Sequence, residues 1–384
     1  MLKNVGTFFL VLFLFNSCLA QRPEIKRGKV KVELVNSKPK LVVGIVVDQM
    51  RYDYLTRFQN KFGKGGFMRL INEGFNCKNN HFNYIPTYTG PGHTSIYTGT
   101  TPKYHGIIAN SWYDKELKDW VYCAGDSTVQ PVGTTDKSGQ MSPHRMKTTT
   151  FADENRLFTQ MRGKTIGVSI KDRGAILPAG HTANAAYWFD GGKNGDWITS
   201  TFYMNNLPKW VVDFNKSKRV ESYLKVWNTF YDIETYTESG NDLNIFEGGF
   251  KGKETATFPY DLSKLESKNE GLAILKSTPF GNSIVTDFAL EALKSLYIQT
   301  NQPKAYVQLL KDNNMAEENK NATDSTYYAA AETQFADNNF EAAITSFQKY
   351  IEEFPNGIFI TKANYYTAES YKKLNKEEQS LSYY

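Results

Sequence analysis

The first patterned stretch of the chain is Val5 to Phe15, an apolar run of about eleven residues behind Met1-Leu2-Lys3. A membrane span takes roughly 20 residues, so this run is too short to be one. Cys18-Leu19-Ala20 follows, then Gln21. Small residues three and one places before a cut predict a signal peptide over 1–20, cleaved after Ala20. A lipoprotein signal with Cys18 as the acylated residue stays open as the alternative. No later segment has the apolar length to span a membrane. The mature chain is therefore expected to be exported, either soluble or lipid-tethered.

Further along, Lys40 to Asp48 (K-L-V-V-G-I-V-V-D) is a continuous β-branched run closed by a carboxylate. Such runs predict strands buried on both faces, as in parallel sheets. Tyr54 to Glu73 has helical spacing through Leu55, Phe58, Phe62, Phe67 and Leu70. Thr165 to Ile170 predicts a second strand, running into Lys171-Asp172-Arg173-Gly174. Strand and helix in alternation predict an α/β fold with a mostly parallel sheet and flanking helices. Ligands in such folds bind at the carboxyl ends of strands, which is where Asp48, Lys171 and Arg173 fall. Residues 184–260 are rich in Trp, Tyr, Asn and Gly and predict loops and short strands. Asn282 to Leu296 predicts a helix with Ile284, Phe288, Ala292 and Leu296 on its apolar side.

Past about residue 295 the β-branched runs stop. Ala331-Glu332 recurs as Ala368-Glu369, 37 residues on, and Ala343, Phe347 and Pro355 keep the spacing of tetratricopeptide repeats. Ala lets two helices approach, Phe fills the gap between them and Pro ends the second. Residues 40–294 are therefore expected to form the α/β domain. Residues 295–384 are expected to form all-α helical repeats, joined loosely to it and offering a surface to a protein partner.

Composition narrows the function classes. The net charge of +5, from 45 basic against 40 acidic residues, is too thin and too scattered to predict nucleic-acid binding. After signal cleavage Cys77 and Cys123 are the two remaining cysteines, and an oxidising compartment predicts a disulfide between them. Two buried free thiols are the alternative. All five histidines, 81, 93, 105, 144 and 181, lie in the first half.

The candidate chemistry centres on Tyr84 to Gly99, Y-I-P-T-Y-T-G-P-G-H-T-S-I-Y-T-G. A hydroxyl-rich, glycine-rich loop entering a helix sets a hydroxyl beside free backbone N–H groups, which attract phosphate. A threonine there can act as a nucleophile once its proton is removed, and a divalent metal can do that. Asp48 is an oxygen ligand of the kind such a metal takes. Lys171 and Arg173, two apart on a predicted strand end, would point the same way. His93 is expected to be structural.

These runs, with V-V-G-I-V-V-D-Q-M-R and S-I-K-D-R-G, resemble the alkaline phosphatase superfamily. The likeness is to its periplasmic, phosphate-irrepressible phosphomonoesterases with a Thr nucleophile; the nucleotide pyrophosphatase/phosphodiesterase branch is similar around the threonine. The resemblance implies a two-zinc enzyme acting on small phosphate esters. Asp48 would ligate one zinc, and Thr89 would be both ligand and nucleophile. Thr87 is its rival, but the family pattern puts the nucleophile directly before G-P-G-H. Asn110, Lys171 and Arg173 would hold phosphoryl oxygens, and the Lys-Asp-Arg run implies a monoesterase. The family also holds zinc with further Asp and His residues in the second half of a longer domain, whereas no His follows His181 here. The chain is thus expected to carry a C-terminally truncated phosphatase domain followed by a repeat fragment, with an incomplete metal site. Two functions follow: an exported phosphoric monoester hydrolase by descent, or a non-catalytic protein that binds through its repeats beside an inert phosphatase-like half.

Overall fold

The computed structural model describes residues 39–192, 194–313, 315 and 320–384; the expected signal peptide, with Cys18, lies outside them. The chain divides into two units, Met1–Val46 and Val47–Tyr384.

Of the first unit, residues 39–46 are described. The expected strand over 40–48 does not form: residues 41–47 run without a ladder, and Val43 and Ile45 are 65% and 79% exposed. An apolar run becomes a doubly buried strand only when neighbours pair with both its edges. The described residues give it none.

In the second unit the helix expected over 54–73 forms in pieces, a single α-helical turn at Tyr54–Arg57 and a 3-10 turn at Gln59–Lys61, and then, beyond the Gly63 and Gly65 break, α1 (Gly66–Glu73). Next come α2 (Thr89–Thr98) and a hairpin of β1 (Ser111–Asp114) with β2 (Asp119–Tyr122). The main sheet is built from β3 (Pro131–Val132), β4 (Ile166–Ser169), β5 (Ala185–Gly191) and β6 (Asp196–Ser200), in the order β3-β6-β5-β4. The α/β class is as expected, but the sheet is mixed. β4 and β5 are parallel, and the β5–β6 and β6–β3 pairings are antiparallel. The helices around it are α3 (Phe151–Phe158), α4 (Asp172–Ala179), α5 (Lys209–Lys216) and α6 (Phe280–Gln299).

Strand β5 shows why the layers form. Its side chains alternate between two faces, and both faces are buried. Ala185, Tyr187 and Phe189 pack with Trp197, Phe214, Ile284 and Phe288, bringing α5 and α6 onto one face. Trp197 and Phe288 stack with ring centroids 4.1 Å apart. Ala186 and Trp188 pack on the other face with Ile107, Cys123, Ile176 and Leu177, which seats α4 there.

The expected domain boundary near Lys294 falls inside α6, whose packing extends to α7 (Pro303–Asp312) and α8 (Lys320–Ala336). α9 (Phe340–Glu353) and α10 (Ile360–Lys373) stack on these around Ala331, Ala343, Phe347 and Tyr350. The helical array is therefore not loosely joined: a helix of the first core packs on the helices of the second.

Candidate active site

The site starts at the first turn of α2. Thr89 opens the helix, and its hydroxyl donates to the Asp48 carboxylate at 3.2 and 3.3 Å. The next residue, Gly90, donates its N–H to Asn110 Oδ1 at 2.7 Å. That bond fixes the Asn110 amide: the oxygen faces a backbone donor, so Nδ2 is left as the group able to donate elsewhere. A side chain at position 90 would come within 3.1 Å of Asn110 Oδ1, 3.2 Å of the Ala109 carbonyl and 3.3 Å of Cys123 Sγ. The glycine lets three segments meet at the helix N-terminus.

Behind this turn, α2 is held from the interior. Ile107 N donates to His105 Nδ1 at 3.2 Å, so the His105 proton sits on Nε2, which donates to Ser95 Oγ at 2.9 Å. Ser95 in turn meets Tyr84 Oη at 2.7 Å, and Tyr84 donates to the Pro91 carbonyl at 3.0 Å. His105 is fully buried, and burial pushes its pKa down to about 4.

The cationic side comes from α4, which packs on α2. The two cations do not lie on a strand. β4 ends at Ser169, Lys171 is the residue before α4 and Arg173 lies in its first turn. Both cations thus stand at a helix N-terminus rather than on one face of a strand. The Lys171 backbone N–H donates to Ser169 Oγ at 3.3 Å, at the turn out of β4. Arg173 donates to Tyr122 Oη at 2.8 Å, and Tyr122 donates to Asp172 Oδ1 at 2.6 Å. His93, buried in α2, feels charge from both sides. Burial lowers its pKa, Asp48 and the Thr89 backbone oppose that shift, and the Arg173 charge adds to it.

The expected Cys77–Cys123 bridge is absent, and both thiols are free. Cys123 is buried against Gly90 while Cys77 is exposed, so the two do not meet. Burial, reinforced by the Asp172 charge, pushes the Cys123 thiol up to about 12, which makes it an inert packing group.

The donors present do not fit a zinc ion. A structural or catalytic zinc takes three or four protein ligands. Among the described residues no three His, Cys, Asp or Glu side chains gather to hold one. Asp48 and Thr89 offer a single carboxylate and a hydroxyl, so no chemical step is derived through a metal here.

The type I phosphodiesterase / nucleotide pyrophosphatase family model matches residues 42–258. The chain belongs to that family. A tetratricopeptide repeat model matches residues 325–357, across α8 and α9. Three relatives are alike over most of this chain. A Myroides odoratus protein named calcium-transporting ATPase is 51% identical over 69% of this chain and 48% of its own length. Alkaline phosphatase PafA of Elizabethkingia meningoseptica is 51% identical over 67% of this chain and 47% of its own. Alkaline phosphatase PhoV of Synechococcus elongatus is 48% identical over 72% and 50%. The crystal structure of wild-type PafA superposes with a TM-score of 0.64 at 50% identity, covering 67% of this chain and 49% of that one. A PafA variant with a threonine changed to serine and an asparagine, a lysine and an arginine changed to alanine gives the same TM-score. The chain thus spans about half the length of the curated relatives it matches.

Tyr122 and Asp172 escaped the sequence reading. Nothing distinguishes an aromatic at the end of a short edge strand from the chain's many other tyrosines until Arg173 is seen to touch it.

Proposed function

We propose that the chain carries the phosphate-ester site of an exported alkaline-phosphatase-type monoesterase, as a binding site with little turnover of its own. The observation that supports this best is the meeting of Thr89, Asp48 and Asn110 at the N-terminus of α2. Helix N-termini favour oxyanions, and Asn110 Nδ2, Lys171 and Arg173 add donors of the charge-assisted kind. The residue types support it too. In the PafA variant the altered threonine and asparagine are 21 positions apart, and the lysine and arginine two apart, as Thr89, Asn110, Lys171 and Arg173 are here.

In this reading Asp48 orients the Thr89 hydroxyl, and Asn110 and the cations steady the phosphoryl group in front of it. One carboxylate does not make Thr89 a strong nucleophile. The zinc ions that the resemblance implies lack their ligand set among the described residues. Export from residues 1–20 and a periplasmic location belong to the same proposal. Among the described residues no helix is long and apolar enough to cross a membrane. The repeat match favours a second role, a protein partner on the helical array.

The test is calorimetric titration of the full chain with inorganic phosphate, beside a phenyl phosphate assay with and without added zinc. The expected result is phosphate binding that falls roughly tenfold in Lys171→Ala or Arg173→Ala, about the worth of one charge-assisted hydrogen bond. Robust turnover that disappears in Thr89→Ala would overturn the binding-only part. Unchanged binding in both cation variants would overturn the site.

A further inference from the structure

Arg173 has an unusual partner. The carboxylate next to it in sequence, Asp172, is close at hand, since both side chains bond the same Tyr122 hydroxyl. Yet no ion pair links the two side chains. The Tyr122 hydroxyl stands between them, giving its proton to Asp172 Oδ1 at 2.6 Å and accepting from an Arg173 terminal nitrogen at 2.8 Å. The guanidinium carbon lies 5.9 Å from the Tyr122 ring centroid. Arg173 Nε is buried with no partner, which is costly for a charged donor unless something else occupies the site.

We propose that Tyr122 is a positioning residue for Arg173, keeping the guanidinium out of an ion pair with Asp172 and open to an oxyanion. This rests on the phosphate-site reading above. A phenol suits the task because it satisfies both charges at once. Its single proton goes to the stronger acceptor, the carboxylate, and its lone pair faces the guanidinium. A neutral oxygen holds the cation more weakly than a carboxylate would, so a phosphate can still win it. In a Tyr122→Phe variant both charges lose a partner in a half-buried setting. The inexpensive remedy is for Arg173 to close on Asp172, which withdraws it from the site.

The inference has a signature that a merely structural role lacks. Tyr122→Phe should weaken inorganic phosphate binding about as much as Arg173→Ala, roughly tenfold. Adding Asp172→Asn to Tyr122→Phe should restore affinity to within about threefold, because the competing charge is gone while the shape is kept. The experiment is calorimetric titration of the purified full chain and these variants with inorganic phosphate, each checked by circular dichroism. If Arg173→Ala weakens binding and Tyr122→Phe does not, the inference falls and the site stands. If Tyr122→Phe weakens binding but the second change restores nothing, Tyr122 is structural and the inference falls again. No binding by the unsubstituted chain, or none lost in Arg173→Ala, overturns the site and the inference together. Should Tyr122→Phe fail to fold, Asp172→Asn alone decides. It should bind phosphate as well as the unsubstituted chain or better, and a tenfold loss would overturn the inference.

Discussion

Thr89 depends on a residue that never touches it. His105 is buried, accepts from Ile107 N and donates through Nε2 to Ser95, which leads through Tyr84 to the Pro91 carbonyl in the first turn of α2. The chain of bonds works only while the imidazole is neutral, and burial holds its pKa at about 4, below the ordinary 6.5. A histidine depressed in the folded state contributes stability that is fully present above the unfolded pKa. That stability drains as pH falls from about 6.5 toward 4 and then levels off. The shift corresponds to about 3 kcal/mol at 1.36 kcal/mol per pKa unit. His105→Gln keeps a donor but cannot titrate, so urea melts at pH 7 and pH 4.5 should show a smaller drop for the variant than for the parent. Equal drops would mean that His105 is not the titrating group. At this scale the sequence was informative where chemistry and spacing coincide. Thr89 precedes a glycine-rich turn, and Asn110 follows from resemblance. The Tyr122–Asp172–Arg173 contact was illegible, because a tyrosine 51 residues from its arginine leaves no local pattern.

Among the elements, apolarity alone separated buried strands from exposed ones poorly. Residues 41–47 read as an interior strand and the segment holding β5 as loops and short strands, yet it is β5 that has neighbours on two edges and helices on two faces. Val43→Thr and Ile45→Thr should each change stability by less than about 0.5 kcal/mol in denaturant titrations, as exposed substitutions do. A cost above about 1.5 kcal/mol would place them in a core. β4 gives the opposite case. A methyl at Gly167 would lie inside contact distance of the Ala175 carbonyl and the Ala179 side chain, both on α4. Backbone cannot yield there without moving α4, the helix that begins beside Lys171 and carries Arg173. Gly167→Ala should therefore cost about 1–3 kcal/mol, the usual price of overpacking, and weaken phosphate binding with it. Loss of stability with binding intact would show that the α4 N-terminus is held independently of β4. The switch from strand to helix at Ile170 was also hidden. A lysine before Asp-Arg-Gly ends a strand and starts a helix equally well, and only the turn into α4 decides which way the two cations face.

On the scale of the whole molecule, the compositional change near residue 295 is real but does not mark a joint. Helix α6 buries Ile284 and Phe288 among the rings of β5 and β6, then packs on α7 and α8, where the repeat-like core begins. The sequence could show the change of character. It could not show that one 20-residue helix serves both sides, because an apolar stripe does not name its partner. The exposure of large apolar side chains is uneven across that helix. Among the described residues beyond 258, Ile358, Tyr365, Leu381 and Tyr384 are the exposed ones, while the matched segment exposes many more, among them Phe75, Ile85, Trp120, Phe230 and Phe246. The matched half is thus the less well covered part, and it would unfold first if the halves were independent. A shared helix argues against independence, since melting the aromatic cluster around Phe288 releases the support of α8. Two probes separate the cases. All six tryptophans, at 112, 120, 188, 197, 210 and 227, report on the matched half, whereas the long helices beyond 280 dominate the helical dichroism. Tryptophan fluorescence and dichroism at 222 nm should give coincident urea transitions, the mark of one cooperative unit. Phe288→Ala should shift both curves together, by about 3–5 kcal/mol for a buried aromatic truncated to a methyl. If fluorescence changes at low urea while the dichroism holds, α6 does not couple the halves, and the repeat array stands without the phosphatase-like core.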